Sequence, residues 1–337
     1  MTVISVIGHG SLVASKMKGA FHMLTPVKLS PAFKDYIWGG TRLITEFHKK
    51  STLERVAESW ELSAHKDGQS TVATGPFSGL TLTQYLEKLG KNALGTSAAD
   101  YDYFPLLIKL IDAKGDLSVQ VHPSDEYALS HEGEYGKTEM WYILDCDDGA
   151  SLFYGFAQDV TKEEYEHAIR DGRLTEILNR VPVKRGDVFF IPAGTVHAIG
   201  AGILICEIQQ NSNTTYRVYD YNRRDKDGNL RPLHIDKALE VSCLQRSPAL
   251  KDIPQGADVS LATCSYFDVR RLQISETSKI SVDESSFVSL IIIEGEGALT
   301  YNDGELYFKK GDSLFIPAQN EDFRIVGHCE LIQSKVQ

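Results

Sequence analysis

Cysteine is scarce in this chain of 337 residues, and its five copies are widely separated. They occur singly, at Cys146, Cys206, Cys243, Cys264 and Cys329, and no two have the C-x-x-C spacing. An odd number of scattered cysteines argues against a disulfide framework and against a zinc site built from thiolates. The pattern therefore favours a protein of a reducing compartment, and we expect a cytoplasmic one.

Long hydrophobic runs and an excess of positive charge are missing as well. No stretch approaches the roughly 20 apolar residues of a membrane-spanning helix, so we expect a soluble protein that does not act at a membrane. The 46 acidic side chains outnumber the 35 lysines and arginines, which gives a net charge of −11. Nucleic acid is therefore disfavoured as a partner, because such binding depends on clustered Lys and Arg. A small phosphorylated ligand stays compatible, since one or two arginines set the potential of a cleft.

The length of the chain favours two domains or one elaborated domain. Residues 1–22 differ from the rest, because they are mildly apolar, lack a basic start and end in a His-Met junction. We interpret this segment as a leader added during cloning, and a secretory signal is the less favoured alternative. The sequence carries no signal for an oligomeric state.

Strand signals dominate the remainder of the chain. Short β-branched and aromatic runs such as Glu139–Leu144, Asp187–Ile191 and Ile203–Ile208 are separated by Gly, Asp and Asn. This pattern predicts a mainly-β sandwich or barrel. Two helices are expected to interrupt it, one beginning at Thr81 and one forming a small helical segment near 161–180.

A ten-residue segment occurs twice in the chain. Lys184–Ala193 and Lys309–Ala318 share a basic residue, Gly-Asp, a Phe and Ile-Pro-Ala at the same places. Gly-Asp suits a tight turn, the apolar run suits a strand, and Pro suits its end. Two copies predict two related β-barrels, which we place at 23–245 and 255–337.

The two copies differ immediately after their shared residues. The first continues through Gly-Thr-Val to His197, whereas the second continues through Gln-Asn-Glu to Asp322 and has no imidazole. We therefore expect a metal site in the first barrel and none in the C-terminal one.

Four residues of the first barrel are candidate metal ligands. Strand alternation in 117–123 sends Gln120 and His122 to one face and the apolar residues to the other. Glu139 opens the next strand-like run, and His197 follows a Pro-Ala-Gly turn. Two imidazoles, a carboxylate and an amide oxygen suit Zn and would also hold Mn, Fe or Co, so these residues alone do not select the metal.

Several motifs along the chain become recognisable when they are taken together. In chain order they are Tyr36–Gly40, Glu58–Ser63, Gln120–His122, Lys137–Glu139, Pro192–His197 and Glu207–Arg217. They closely resemble type I mannose-6-phosphate isomerase in its short bacterial form, and the resemblance covers nearly everything from about residue 23 onward. It implies two cupin-type jelly-roll barrels and an enzyme with one Zn²⁺ per chain that interconverts mannose 6-phosphate and fructose 6-phosphate.

The resemblance also implies roles for individual residues. The ligand set of the family falls on Gln120, His122, Glu139 and His197. Its active-site arginine falls on Arg217, the lysine of its K-x-E element on Lys137, and a cleft lysine on Lys109. Glu207 matches an acidic position of the family, so Arg217, Glu207 and Lys137 are the catalytic candidates, and Lys109, Lys137 and Arg217 the substrate-binding ones.

The general base is left open between two residues. Moving a carbonyl between C1 and C2 requires a group that takes a proton from one carbon and returns it to the other, and both Glu207 and Lys137 are candidates. We favour Glu207 slightly. Its alternative role is to orient a metal-binding side chain without binding the metal itself. Arg217 is expected to meet the anionic end of the substrate or the enediolate oxygens, and its alternative is an ion pair with Asp220.

Two departures from the family pattern bear on these expectations. Long members carry a large helical insertion that is missing here, and Asn213 stands where they have an Asp. The main functional alternative is a non-catalytic cupin that binds a sugar phosphate, and a metal-dependent oxygenase is disfavoured.

Overall fold

The computed structural model describes residues 24–224, 227–250, 253–302 and 304–337. The leader that we predicted at residues 1–22 lies outside these ranges. The described chain is mainly β, which confirms the prediction. The strands are β1 (Val27–Ser30), β2 (Ala32–Lys34), β3 (Glu58–Leu62), β4 (Ala64–His65), β5 (Gly68–Gln69), β6 (Thr71–Val72), β7 (Leu106–Ala113), β8 (Val119–Val121), β9 (Glu139–Cys146), β10 (Ser151–Phe156), β11 (Leu178–Pro182), β12 (Val188–Ile191), β13 (His197–Ala198), β14 (Ile203–Gln210), β15 (Tyr216–Tyr219), β16 (Asp258–Thr263), β17 (Asp268–Ile274), β18 (Thr277–Val282), β19 (Val288–Tyr301), β20 (Gly304–Lys309), β21 (Ser313–Ile316) and β22 (Glu321–Lys335).

Short helices connect the strands. They are α1 (Arg42–Thr45), α2 (Leu82–Leu89), α3 (Asp125–His131), α4 (Lys162–Arg170), α5 (Leu174–Ile177) and α6 (Ile235–Val241). Thr81 and Thr161 cap α2 and α4 with the reciprocal hydrogen bonds of a capping box, as their spacing to Gln84 and Glu164 predicts. The helical segment expected near 161–180 ends at Ile177, because the chain turns there into strand β11. None of the helices in the described ranges is long and apolar enough to cross a membrane.

Two sheets of the first unit, residues 23–245, face each other. One of them, which we call the middle sheet because it lies between the other and the C-terminal unit, has the order β12-β9-β14-β7-β3-β2. The other, which we call the outer sheet, has the order β11-β10-β13-β8-β15. Side chains from both meet in one core, where Trp141 and Ile205 of the middle sheet pack with Leu152 and Tyr154 of the outer sheet. The strands thus form open sheets packed as a double-sheet jelly roll rather than closed barrels, because within the described residues no strand hydrogen-bonds the two sheets together.

The C-terminal unit, residues 255–337, is built around its two long strands β19 and β22, which pair along most of their length. Strands β1 and β6 join the same sheet, because Val27 pairs with Phe315 and Leu29 pairs with Val72. The N-terminal strands therefore complete the sheet of the other unit. The division of the chain near residues 245–255 stays a prediction.

The middle sheet is covered on both sides. Its face away from the outer sheet carries apolar side chains such as Leu110 and Ile208, which pack with Phe267, Phe287 and Phe315 around the C-terminal sheet. Sheet pairing is stabilised most where both faces are buried, and here one face binds the C-terminal unit while the other lines the interior of the jelly roll.

The sequence repeat is a structural repeat. Lys184 N donates to Asp187 Oδ2 at 2.9 Å in the first copy, and Lys309 N donates to Asp312 Oδ2 at 3.0 Å in the second. The strands that follow, β12 and β21, pair antiparallel with β9 and β19 respectively. Ile191 faces Glu139, and the matching Ile316 faces Val288, so an apolar residue occupies the ligand position in the C-terminal unit. That this unit has no metal site stays a prediction.

A matched pair of glycine substitutions tests the fold at this repeat. Gly186 and Gly311 have φ values of 91° and 89°, which disfavour any side chain, but only Gly311 is crowded. A Cβ there would lie 2.0 Å from the Phe47 backbone oxygen, whereas the same atom at Gly186 would meet nothing within 4 Å. We expect Gly186→Ala to lower the free energy of unfolding by about 1–2 kcal/mol and Gly311→Ala by about 3 kcal/mol or more. Chemical denaturation measures both, and equal losses would contradict the close contact between the units.

Candidate active site

Three side chains with metal-ligating atoms converge between the two sheets of the first unit. His122, Glu139 and His197 each offer one such atom, and these atoms all lie within 4.8 Å of one another. All three residues are buried. They were predicted as ligands from three separate parts of the sequence, and the structure brings them together.

The strand register determines where these residues and Gln120, the fourth predicted ligand, lie. His197 of β13 and Gln120 of β8 are direct Cα partners in the outer sheet, so their side chains share a face. Glu139 begins β9 of the middle sheet, on the opposite side of the interior. Gln120 Nε2 lies 3.4 Å from His197 Nε2, and rotating the amide by half a turn directs its oxygen at the same point.

The two histidines are arranged to present a free ring nitrogen. His122 Nδ1 pairs with the backbone oxygen of Thr214 and His197 Nδ1 with that of Thr195, each at 2.9 Å. Each bond places the ring proton on Nδ1 and leaves the Nε2 lone pair directed into the cluster. Burial and the charge of Lys137 lower the pKa of His122 well below its ordinary value, and burial lowers the pKa of His197 to about 4. Both imidazoles are therefore neutral, as metal ligands must be.

Glu139 is the negative group of the cluster. Its oxygens lie 3.6 Å from His122 Nε2 and 3.3 Å from His197 Nε2. Lys137 Nζ lies 2.9 Å from Oε2, but neither oxygen accepts a well-directed hydrogen bond from the described residues. Burial raises the pKa of this carboxyl to about 7. A buried carboxylate without such bonds is costly and a dication would compensate it, so these residues fit a bound metal ion.

A row of side chains crosses the middle sheet beside the cluster. Trp60, Lys109, Glu207 and Trp141 are successive Cα partners on β3, β7, β14 and β9. All four are buried, and the Trp141 ring meets the His197 ring edge-on with a centroid distance of 5.2 Å. The row therefore faces the interior that the metal ligands occupy.

Glu207 is held from two sides in this row. Lys109 Nζ lies 3.1 Å from its Oε1, and Trp141 Nε1 donates to its Oε2 at 2.9 Å. Lys137 Nζ lies 4.0 Å from Oε1. Burial raises the pKa of Glu207, but the charges of Lys109 and Lys137 outweigh it and hold the pKa below its ordinary value. The result is a buried, ionised carboxylate between two lysines.

Lys109, which forms an ion pair with Glu207, is stabilised in its charged form. Burial lowers the pKa of Lys109, but the carboxylates of Glu207 and Glu58 outweigh that effect and raise it above the ordinary value. Its Nζ also lies 5.3 Å from the centre of the Trp60 ring. Lys109, which the family resemblance implies as a cleft lysine, is therefore a fixed cation in this buried row.

Sequence reasoning gave no role to the tryptophans of this row. Trp141 binds Glu207, and Trp60 Nε1 donates to Glu58 Oε2 at 2.6 Å. The signal was present as strand alternation, because Trp141 follows Glu139 by two positions and must share its face.

Arg217 lies at the edge of the cluster. It is the Cα partner of Gln120, so its side chain shares the face of the metal ligands. Its Nε donates to Ser118 Oγ at 3.3 Å and its Nη1 to the Pro232 backbone oxygen at 3.1 Å. Asp220, the alternative partner considered from the sequence, pairs instead with Arg223 and Arg231.

Two polar residues near the site take part in local contacts. Asn213 Nδ2, at the position where long family members have an Asp, donates to Asp67 Oδ2 at 2.8 Å, which ties the loop before β15 to the turn between β4 and β5. Arg223 is fixed by Asp220 and by the Asp116 backbone oxygen. Neither residue contacts the cluster.

The fold and the site together define a cupin-type protein with a candidate metal centre inside its first jelly roll. Residues 27–145 match the family model of the phosphomannose isomerase type I catalytic domain, and residues 258–336 match that of the mannose-6-phosphate isomerase cupin domain. The chain belongs to the type I phosphomannose isomerase family.

Individual relatives support this assignment. The chain is 43% identical over 315 residues to mannose-6-phosphate isomerase ManA of Bacillus subtilis, covering 92% of this chain and 98% of that protein. It is 39% identical to the mannose-6-phosphate isomerase of Streptococcus mutans, covering 93% and 98%. The crystal structure of a mannose 6-phosphate isomerase from Bacillus subtilis superposes with a TM-score of 0.85 at 40% identity, covering 92% of this chain and 99% of that one.

Proposed function

We propose that this protein interconverts D-mannose 6-phosphate and D-fructose 6-phosphate through an enediol intermediate. Family membership supports the reaction. The observation that carries it in this chain is the buried row of Lys109, Glu207 and Trp141 facing the cluster of His122, Glu139 and His197. A protein that only binds sugar phosphates would not need fixed charges of both signs buried beside a metal centre, since burying them is costly.

One Zn²⁺ per chain is the proposed cofactor. Gln120, His122, Glu139 and His197 supply a mixed nitrogen and oxygen ligand set, which suits Zn and leaves room for a further oxygen ligand. When bound, the ion supplies Lewis-acid stabilisation of negative charge on the oxygens of the reacting carbons. Metal analysis of the purified protein tests this proposal, and a ratio far from one Zn²⁺ per chain would contradict it.

The proton that moves between C2 and C1 needs a carrier at the site. Glu207 was slightly favoured from the sequence, but Lys109 forms an ion pair with its Oε1, Trp141 donates to its Oε2, and its lowered pKa makes it a weak base. Lys137 Nζ lies nearer the cluster, 3.2 Å from His122 Nε2 and 2.9 Å from Glu139 Oε2. We propose Lys137 as the carrier, because a dication bound beside its Nζ would favour the neutral amine that can take a proton, and Glu207 would hold the two lysines in place.

Arg217 is proposed to bind oxyanions of the substrate. Its guanidinium is held by neutral partners, Ser118 and Pro232, while Asp220 pairs with Arg223 and Arg231. Burial and the charge of Arg231 lower its pKa, so a bound anion would stabilise the charged guanidinium. A planar guanidinium suits two oxygens of one anion.

Conservative replacement of Arg217 tests that role. Lysine keeps the charge and loses the paired donors, so Arg217→Lys should raise KM for the sugar phosphate by about 10-fold to 100-fold. Arg224→Lys is the matched control, because among the described residues Arg224 Nη1 donates to the exposed Gly228 backbone oxygen. Steady-state kinetics with both variants at equal metal content decide the matter, and unchanged KM in Arg217→Lys would refute substrate binding by this residue.

We also propose that the protein acts in the cytoplasm on a small sugar phosphate, without nucleic acid or membrane as a partner. The support is that all five cysteines lie in the described residues and are unpaired, and that the net charge is −11. Cell fractionation with an antibody to the protein would show the location, and recovery in a membrane or extracellular fraction would contradict it.

A direct assay tests the function. Protein of known zinc content is given mannose 6-phosphate, and fructose 6-phosphate is detected by a coupled enzyme. We expect steady turnover, and much weaker turnover of unphosphorylated mannose because it lacks the anion. The non-catalytic alternative predicts binding of the sugar phosphate with no product, and that result would end the isomerase proposal.

A further inference from the structure

A turn of the C-terminal unit reaches into the first unit. Residues 264–267 connect β16 to β17 and are closed by the hydrogen bond from Cys264 N to Phe267 O at 3.0 Å. Phe267 is fully buried, and its ring meets the Phe190 ring of β12 edge-on at 6.4 Å. With the turn anchored in this way, the Tyr266 hydroxyl donates to Asp125 Oδ2 at 2.8 Å.

Asp125 in turn joins the two segments that carry metal ligands. It stands three residues after His122, and its Oδ1 accepts from Gly136 N at 2.7 Å. Next to this bond, Lys137 N donates to the Pro123 backbone oxygen at 3.0 Å. The contact is close, because a Cβ on Gly136 would lie 2.4 Å from Asp125 N. These hydrogen bonds join the residues that follow His122 to the residues that precede Glu139.

The same carboxylate also holds Gln210, at the end of β14. Gln210 Nε2 donates to Asp125 Oδ1 at 2.9 Å, and Gln210 Oε1 accepts from Thr138 N at 2.9 Å. Gln210 N donates to Thr138 O at 3.1 Å. Thr138 lies between Lys137 and Glu139, so its backbone position sets the direction of both side chains. Three donors from three parts of the chain thus meet at Asp125.

We infer that Tyr266 is a positioning residue of the metal centre, which it supports through Asp125 from the C-terminal unit. Its hydroxyl is the group that fixes Oδ2, while the other oxygen aligns Gly136 and Gln210. Without that hydroxyl Oδ2 loses its partner, the carboxylate is held through Oδ1 alone, and the common anchor of the ligand segments is weakened. Partners of this kind behind metal ligands typically affect metal affinity by about 10–100-fold. The C-terminal unit would then contribute to a site that it does not itself contain.

The test removes the hydroxyl and keeps the ring. Tyr266→Phe should bind zinc about 10-fold more weakly in competition with a chromogenic chelator. Its kcat at limiting zinc should fall while KM for mannose 6-phosphate stays unchanged. Tyr307→Phe is the matched control, because Tyr307 lies in the same unit and its hydroxyl donates, within the described part of the chain, to the exposed Glu305. Thermal unfolding of the metal-free proteins should be the same for both variants.

A double-mutant cycle separates this role from a general loss of packing. Tyr266→Phe should add less than about 2-fold to the zinc defect of Asp125→Ala, because the hydroxyl acts only through that carboxylate. Asp125→Asn should recover most of the affinity, since its Oδ1 still accepts and its amide can donate to the tyrosine oxygen. Full zinc affinity in Tyr266→Phe, or losses that multiply in the double variant, would overturn the inference.

The kinetic part of this inference rests on the proposed isomerase function, whereas the zinc competition does not. If wild-type protein loaded with zinc gave no turnover, the proposed function would fail and the affinities would still decide the role of Tyr266. If wild-type protein turned over and Tyr266→Phe matched it in zinc affinity and kcat, the inference alone would fail.

Discussion

Replacing Glu139 with Gln should remove zinc and isomerase activity together while leaving the fold intact. Glu139 supplies the negative charge of the ligand set, and its oxygens lie within 3.6 Å of both ligand nitrogens. The amide is nearly isosteric and cheaper to bury than an ionised carboxylate, so the free energy of unfolding of the metal-free protein should not fall. Loss of the several kcal/mol that a metal contributes lowers kcat/KM by about 10³-fold or more.

Three measurements on Glu139→Gln check this result: zinc content after dialysis, kcat/KM and thermal unfolding of the metal-free protein. Glu166→Gln is the control, because Glu166 is an acid of helix α4 that pairs with Arg170 at the surface. A variant that keeps a full equivalent of zinc and near-normal turnover would show that Glu139 is not a ligand. A variant that fails to fold would instead assign it a structural role.

Replacing Lys137 with Met should lower kcat by about 10²–10⁴-fold, the usual contribution of a group that transfers a proton. Methionine keeps the length and the apolar part of the side chain. Because the ammonium lies 2.9 Å from Glu139 Oε2, its removal should leave zinc affinity unchanged or stronger. A large fall in kcat without loss of metal distinguishes a proton carrier from a residue that only supports the ligands.

Glu207→Gln is the variant to compare with Lys137→Met. Its amide oxygen still accepts from Trp141 Nε1, but the charge that holds Lys109 is lost. We expect kcat to fall by about 10–100-fold, less than for Lys137→Met. Lys88→Met, on the exposed side of helix α2, controls for the substitution itself. A fall in Glu207→Gln as large as or larger than that in Lys137→Met would make Glu207 the base.

The candidate ligands could be picked out from the sequence because they rest on local patterns. Strand alternation placed Gln120 and His122 on one face, and the repeated turn showed where His197 differs from its counterpart Asp322. The strands that carry them pair as expected, with His197 opposite Gln120. The helix starts at Thr81 and Thr161 were predictable for the same reason, because a capping box lies within four consecutive residues.

The structural features that could not be predicted from the sequence depend on contacts between distant segments. The row from Trp60 to Trp141 exists only when four strands pair in register, and no local pattern fixes that register. Likewise, the pairing of β1 with β21 joins residues 27–29 to residues 313–315 across the whole chain. The contact between Tyr266 and Asp125 is of the same kind, because it needs the two units to be docked.

Jelly-roll barrels were expected, but short alternating strands fit closed barrels and sandwiches of open sheets equally well. The structure decides for sandwiched open sheets, with Trp141 and Tyr154 filling the space between the two layers of the first unit. This arrangement matters for the site, because ligands from the outer sheet meet Glu139 from the middle sheet across the interior.

The central claim is that a metal ion held by Gln120, His122, Glu139 and His197 makes this chain a mannose-6-phosphate isomerase. The most direct measurement is turnover of mannose 6-phosphate by metal-quantified protein before chelation, after removal of the metal, and after adding back one equivalent of Zn²⁺. We predict that turnover disappears with the metal and returns in proportion to the zinc bound. Undiminished turnover in fully metal-free protein, or none in protein with one zinc per chain, would contradict the account.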